Sequence, residues 1–316
     1  VCSSDLLVLV AYSDLSIGLM FAMFGYIWFI MTPIQDILTI QYSLASAKAA
    51  INRINKILDL EVEKNGTLVL EANNKKVDIS IKNLSFSYKE DKLTLKDISF
   101  DIKSGEKIAI IGASGSGKTT IAHIIAGFYS KTSGDILYNN ISINDLDRQS
   151  LRENIFLVLQ MPILFNNSLR FNITMGNENI SDEEIFKALK IAQLYDSVES
   201  MPNKLDTLVG KHGIRLSGGQ RQRLSIARMI IANPAVVIFD ESTSALDVHT
   251  ETKLFSELEE FLKDKTVITI AHRLSTVKNA DMIYVIDDGV LVQSGNHKEL
   301  EEKEGHYLEF VKQQLI

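Results

Sequence analysis

Residues 112–119 read GASGSGKT and follow directly on the apolar run Ile108–Ile111 (IAII). That run has the length and composition of a buried strand, and Ile121–Phe128 behind the loop has helical spacing. The spacing is G-x-x-x-x-G-K-[ST] in a strand–loop–helix context. Glycines there let backbone N–H groups turn inward around phosphate oxygens, and the start of the following helix adds its dipole. Lys118 is placed to reach the outer phosphates, and Thr119 to ligate Mg²⁺. Gly112, Ser114, Gly115, Ser116, Gly117, Lys118, Thr119 and Thr120 are therefore expected to hold the phosphate chain of a nucleotide. A simple glycine turn would need neither the strand nor the lysine and threonine.

Working outward, Ala235–Glu241 (AVVIFDE) is an apolar strand that ends in two acids. Asp240 suits a Mg²⁺ shell, and Glu241 is placed to polarise an attacking water. An acidic pair at a strand end is usually a solvated turn, so this reading leans on the loop. Gln160, after Ile155–Leu159, and His272, after Val267–Ile270, are each ambiguous alone; a lone histidine is more often structural. Tyr88 fits either an adenine-stacking role or the cap of a hydrophobic cluster. Residues 216–220 read LSGGQ and open a helix with Ser217 as its cap. Gly218 and Gly219 again permit close approach of backbone to an anion. One phosphate loop already exists, so this second donor set points to a different nucleotide.

Here the chain resembles the ATP-binding cassette (ABC) transporters. LSGGQ is their signature motif, and the other pieces match in order. Tyr88 corresponds to the adenine-stacking loop, GASGSGKT to Walker A, Gln160 to the Q-loop, and VVIFDE to Walker B. Ser244, Ala245, Leu246 and Asp247 correspond to the D-loop, and His272 to the switch histidine. The match covers residues 79–316. It implies a P-loop NTPase cassette with a RecA-like core, an antiparallel β subdomain and a helical subdomain. It also implies ATP and Mg²⁺, with Thr119, Gln160 and Asp240 around the metal, and Glu241, His272, Lys118 and Gln160 in catalysis. In the family two cassettes pair head to tail, so Ser217, Gly218, Gly219 and Gln220 would close over the ATP of a partner chain. Two departures stand out. Thr207–Gly213 reads TLVGKHG where exporters read roughly T-x-V-G-E-x-G, so Leu208 fills a variable position and Lys211 replaces an acid. Met161 follows Gln160 where Asp or Glu is common.

Upstream the character changes. Leu15 to Gln35 contains no Asp, Glu, Lys or Arg over 21 residues. At about 1.5 Å per residue such a helix spans a bilayer core of about 30 Å. Lys48, Arg53 and Lys56 follow it and place its C-terminal end in the cytoplasm. Pro33 is expected to kink it, and Ala45–Leu60 keeps helical spacing beyond the bilayer. Leu6–Ala11 reads as the stump of a preceding membrane segment. Residues 1–6 (VCSSDL) are what a common sequencing-adapter string encodes and read as a scar on a gene fragment. The expected division is thus scar 1–6, membrane segment 7–60, linker 61–78 and cassette 79–316.

A membrane segment fused ahead of the cassette resembles the exporter-type half-transporters, such as lipid flippases and multidrug exporters. That resemblance implies a multi-pass protein of the inner or plasma membrane with its cassette in the cytoplasm. It implies a second half-transporter as homodimer or heterodimer partner, contact with membrane lipid, and a hydrophobic or amphipathic substrate. Phe21, Phe24, Tyr26, Trp28 and Phe29 line a hydrophobic path or, more commonly for such residues, face lipid. The 316-residue chain carries a net charge of −7, which argues against a general nucleic-acid binder, and its single cysteine excludes an internal disulfide. A soluble cassette ATPase is the alternative; the uncharged run speaks against it. A non-hydrolysing regulatory module is a further one, and Glu241 with His272 speaks against that.

Overall fold

The computed structural model describes Val8 and residues 16–60, 62–72, 76–89, 92–211, 213–240, 248–271 and 274–314. The chain divides into two compact units, Val1–Glu63 and Lys64–Ile316.

In the first unit, α1 runs from Ile17 to Leu58, 42 residues. Ser16 caps it, its hydroxyl accepting from the Leu19 amide at 3.3 Å. The helix passes through Pro33, and the Thr32 hydroxyl donates to the Trp28 carbonyl at 3.0 Å. None of its side chains is buried, as apolar residues on every face predict for a segment without a soluble core of its own. It is long and apolar enough to cross a membrane; at ~1.5 Å per residue it is about 60 Å long, roughly twice a bilayer core of about 30 Å.

The second unit is built on two sheets. Strands β1 (Ile79–Lys89), β2 (Lys92–Ile102), β4 (Ser133–Tyr138) and β5 (Ile141–Ser142) form an antiparallel sheet in the order β2-β1-β4-β5. Strands β3 (Lys107–Ile111), β6 (Ile155–Val158), β9 (Val236–Asp240), β10 (Thr266–Ile270), β11 (Met282–Asp287) and β12 (Val290–Gly295) form the larger sheet, ordered β12-β11-β3-β10-β9-β6. It is parallel from β11 to β6, and only β12 runs against its neighbour. Its central strands read as continuous apolar runs because helices cover both faces: β9 is buried at all of its positions.

Helices α2 (Lys118–Ile125), α3 (Arg148–Asn154), α8 (Val248–Leu262), α9 (Leu274–Lys278), α10 (His297–Glu301) and α11 (His306–Gln314) complete that α/β core. Between β6 and β9 lie α4 (Leu169–Thr174), α5 (Asp182–Ile191), α6 (Tyr195–Glu199), the short pair β7 (Asn167–Ser168) and β8 (Leu208–Val209), and α7 (Gly218–Ala232). Ile185, Leu189 and Leu224 of this helical part share one core with Val237 and Phe239 of the large sheet.

Three expectations shift at their edges. The runs Val77–Ile81 and Leu84–Tyr88 are one strand, because Asn83 takes a left-handed φ of 50° and the pairing resumes beyond it. The helix behind the glycine loop begins at Lys118, directly on the loop. The amphipathic helix expected over Ser181–Tyr195 has its capping box of Ser181 and Glu184 but stops at Ile191, since Gln193 turns left-handed at φ 53°.

Part of the polar stretch expected as a linker packs on the second unit. Leu68 bridges Leu146, its amide donating to the Asp145 carbonyl at 2.9 Å. Asn65 donates to the Asp147 carboxylate at 2.9 Å and accepts from the Arg148 amide at 2.7 Å. Leu70 is buried, and its amide donates to the Ser150 hydroxyl at 3.0 Å. Turn-rich composition reported polarity; it carried no information on these partners some eighty residues away.

Candidate nucleotide-binding site

The loop 112–117 leaves the end of β3 and feeds α2. Gly112 has φ +149°, and a Cβ built there would lie 1.9 Å from the Ile286 carbonyl oxygen of β11, so no side chain fits. Lys118 is buried, its Nζ donating to the Gly112 and Ala113 carbonyls at 2.9 and 2.7 Å. The lysine is thus held over the loop that it would serve. The Ser116 hydroxyl is buried with no hydrogen-bond partner among the described residues. An orphaned buried hydroxyl is costly, and a phosphate oxygen in the loop is the group that would satisfy it. Gly117 caps α2 with φ 105° and, having no side chain, supplies no cap hydrogen bond to the first turn.

Parallel register brings the remaining pieces to the same edge. Ile270 lies beside both Ile110 and Asp240, and Val158 lies beside Phe239. Gln160 therefore follows β6 next to the end of β9, where Asp240 is buried. The Thr119 hydroxyl donates to Asp240 Oδ1 at 3.1 Å. A hydroxyl and a carboxylate at contact form the hard-oxygen donor set that Mg²⁺ takes. Glu241, Ser244–Asp247 and His272 lie outside the described residues.

Tyr88 is 53% exposed at the end of β1. Its hydroxyl is 3.0 Å from that of Thr120, which joins the aromatic residue to the first turn of α2. Tyr129 meets its ring edge-on, with centroids 5.3 Å apart. Phe86 packs on it in the same way at 4.8 Å, and the ring's exposure together with its tether to the loop helix suits a planar base at the end of a phosphate chain.

The LSGGQ stretch is elsewhere. Ser217 caps α7 in a closed box: its hydroxyl accepts from the Gln220 amide at 3.2 Å, and Gln220 Oε1 accepts from the Ser217 amide at 2.9 Å. α7 packs beside β6 at the sheet edge, whereas the glycine loop rises from β3, with β10 and β9 between. The signature glycines thus open a helix that packs at the sheet edge, three strands along from the one that carries the loop.

Sequence reasoning missed the contacts made farther along α7. Gln222 Nε2 donates to the Gln160 carbonyl at 3.3 Å. Arg228 donates to the Ile163 carbonyl at 2.8 Å and to Asn172 Oδ1 at 2.8 Å. A cation interrupting the buried stripe of Leu224, Ser225 and Ala227 was the available signal.

Fold and loop together define an α/β P-loop nucleotide-binding domain. Residues 95–244 match the family described as ABC transporter. The chain is 42% identical over 301 residues to an ATP-dependent lipid A-core flippase of Haemophilus influenzae, covering 95% of this chain and 51% of that protein. It is 38% identical over 283 residues to heavy metal tolerance factor 1 of Caenorhabditis elegans, covering 89% and 35%. Among solved structures, a bacterial Atm1-family ABC exporter with ATP bound matches with a TM-score of 0.79 and 32% identity, over 97% of this chain and 54% of that one. The chain spans about half the length of the lipid A-core flippase it matches. Residues 95–244 are thus an ABC-transporter ATP-binding cassette domain, preceded in this chain by the apolar helix α1.

Proposed function

We propose that this chain is part of an exporter-type half-transporter of the inner or plasma membrane, multi-pass in full, whose cassette lies in the cytoplasm. Its cassette binds Mg-ATP at residues 112–120 and pairs head to tail with a second cassette, from an identical or a related chain. The observation that carries this reading is the separation of two anion-binding elements. The loop at β3 has an orphaned Ser116 hydroxyl and uncapped amides; the start of α7 offers the amides of Gly218 and Gly219 beside β6. One nucleotide occupies the first, so the second serves the nucleotide of a partner.

In this reading Lys118 moves from the loop carbonyls onto the outer phosphates, exchanging neutral acceptors for charged ones. Thr119, Asp240 and Gln160 hold Mg²⁺, which when bound neutralises charge on the phosphate oxygens. Tyr88 stacks on the adenine. Glu241 takes the proton of the attacking water, and His272 contacts the γ-phosphate. The D-loop residues Ser244, Ala245, Leu246 and Asp247 meet the partner cassette. Gln160 reports the state of the site to a membrane domain, a role supported by the exposed apolar side chains of Met161 and Ile163 that follow it. Lys211 in place of an acid alters charge in this coupling region. The transported compound is a hydrophobic or amphipathic one, a class supported by the flippase relative and by a membrane segment without charge.

The test is light scattering of the chain in detergent, with and without Mg-ATP, alongside phosphate release. Glu241→Gln is expected to bind ATP, to double in mass with it, and to lose turnover by about 10²-fold or more. A variant that binds ATP and stays monomeric would refute pairing of identical chains. Near-normal turnover would remove Glu241 from the base role.

A further inference from the structure

The helix that begins at the signature residues also grips the loop that follows Gln160. Gln222, buried one turn into α7, donates to the Gln160 carbonyl. Two turns farther on, about 16 Å from Ser217 along the axis, Arg228 spends all three guanidinium nitrogens on backbone or amide oxygens. Nε reaches the Asn172 carbonyl, one terminal nitrogen the Ile163 carbonyl at 2.8 Å, and the other Asn172 Oδ1 at 2.8 Å. Asn172 is fully buried and passes the grip on: its Nδ2 donates to the Phe165 and Ser168 carbonyls at 2.9 and 3.0 Å, and its Oδ1 accepts from the Phe165 amide at 2.9 Å.

Among the described residues no carboxylate pairs with Arg228. Burial against an apolar cavity of about 560 Å³, which Ile163, Ile173 and Ile231 also line, holds its pKa below the usual arginine value. A half-buried cation without a counter-ion is an expensive way to pack a helix. An apolar residue would fill the same space at less cost but would release the 163–168 segment. The geometry therefore assigns the arginine to positioning that segment.

We propose that Arg228, acting through Asn172 and together with Gln222, is a positioning residue that makes the 160–168 segment and α7 one rigid body. Contact between Ser217–Gly219 and the partner's ATP then moves with the chain's own γ-phosphate sensor, Gln160. This inference rests on the head-to-tail reading above. It adds that the two nucleotide sites are linked through this clamp.

The experiment measures ATP binding, kcat and the Hill coefficient for ATP on the chain in lipid nanodiscs, each normalised to the fraction of protein that binds nucleotide. Variants are Arg228→Met, Arg228→Lys and Gln222→Leu. ATP affinity is expected to stay within about twofold, because the contacts described for Arg228 and Gln222 are to the 160–172 segment and not to the phosphate loop. The value of kcat should fall about tenfold, which is 1.4 kcal/mol in barrier, and the Hill coefficient should approach that of independent sites. Lysine keeps the charge but not the three-pronged geometry, so Arg228→Lys should recover little. A merely structural role would lower the nucleotide-binding fraction and leave normalised kcat and cooperativity unchanged; that result overturns the clamp. If Arg228→Met does not fold, Arg228→Lys and Gln222→Leu decide by the same criteria. A wild-type chain that neither hydrolyses ATP nor pairs would instead overturn the underlying reading.

Discussion

Two helices of this cassette start at glycines, and they start differently. α2 begins at Gly117 with no side-chain cap, beside a buried serine hydroxyl that has no partner. α7 begins at Ser217 in a closed capping box with Gln220. The first start is unfinished without a ligand. The second is locally complete and keeps only the amides of its first two residues to offer. The difference separates a site that builds a pocket around one nucleotide from a surface that adds contacts to a nucleotide held elsewhere. A preorganised pocket binds alone, whereas a few amides at a helix start contribute only when another molecule brings the phosphate.

The comparison can be broken hardest at the loop. Gly112→Ala places a methyl against the Ile286 carbonyl at a backbone angle that alanine avoids. It should cost about 3 kcal/mol of stability and abolish nucleotide binding; a melting curve and an ATP titration read both. An unchanged melt would show that β11 yields, and that the cradle is not rigid. Next, Lys118→Met should weaken ATP affinity roughly hundredfold, as loss of a charge-assisted bond of about 2–3 kcal/mol requires. The same titration checks it, and a change of only a few-fold would mean that the lysine stays on the loop carbonyls.

Ser217→Ala should cost about 1 kcal/mol of stability through the lost cap, with ATP affinity of the single chain unchanged. Reduced ATP affinity in a monomeric sample would place the signature at the chain's own nucleotide and break the contrast. The smallest effect sharpens it by comparison with a third helix start. At α5 the box partner is Glu184, whose carboxylate accepts from the Ser181 amide and is held below the usual glutamate range. A depressed native pKa gives stability that is present above the unfolded value of about 4.3 and lost as pH falls through the native value. Amide exchange at Ser181–Glu184 should therefore quicken as pH drops below about 4, relative to intrinsic rates. Exchange at Ser217–Gln220, whose box is uncharged, should not. Equal acceleration at both would show global unfolding in place of a cap effect.

The local features were the legible ones. The IAII strand, the glycine loop and the Ser181 box all follow from neighbours within a few positions, where side chain and backbone meet whatever the rest of the chain does. Errors fell where a single residue chose an unusual backbone state: Asn83 continued a strand through a left-handed turn, and Gln193 ended a helix that its apolar spacing would have extended. Of the candidate site, the sequence names Lys118, Thr119 and Asp240, and the contact between Thr119 and Asp240 depends on a parallel register that apolar runs alone do not specify. Gln222 and Arg228 went unread, because a polar residue on a helix declares its period and not its partner.

By itself the sequence determined the nucleotide loop, the apolar helix long enough for a bilayer and the capped start of α7. Each is encoded in spacing over one or two turns or one strand, where the chain's own geometry brings the groups together. Only the tertiary structure decided that residues 64–72 pack on α3, that Ser116 is left waiting, and that Arg228 reaches Ile163 across 65 residues of chain. Those partners lie far apart in sequence, and it is the order of strands in the large sheet, set by burial of all their apolar faces at once, that makes them neighbours.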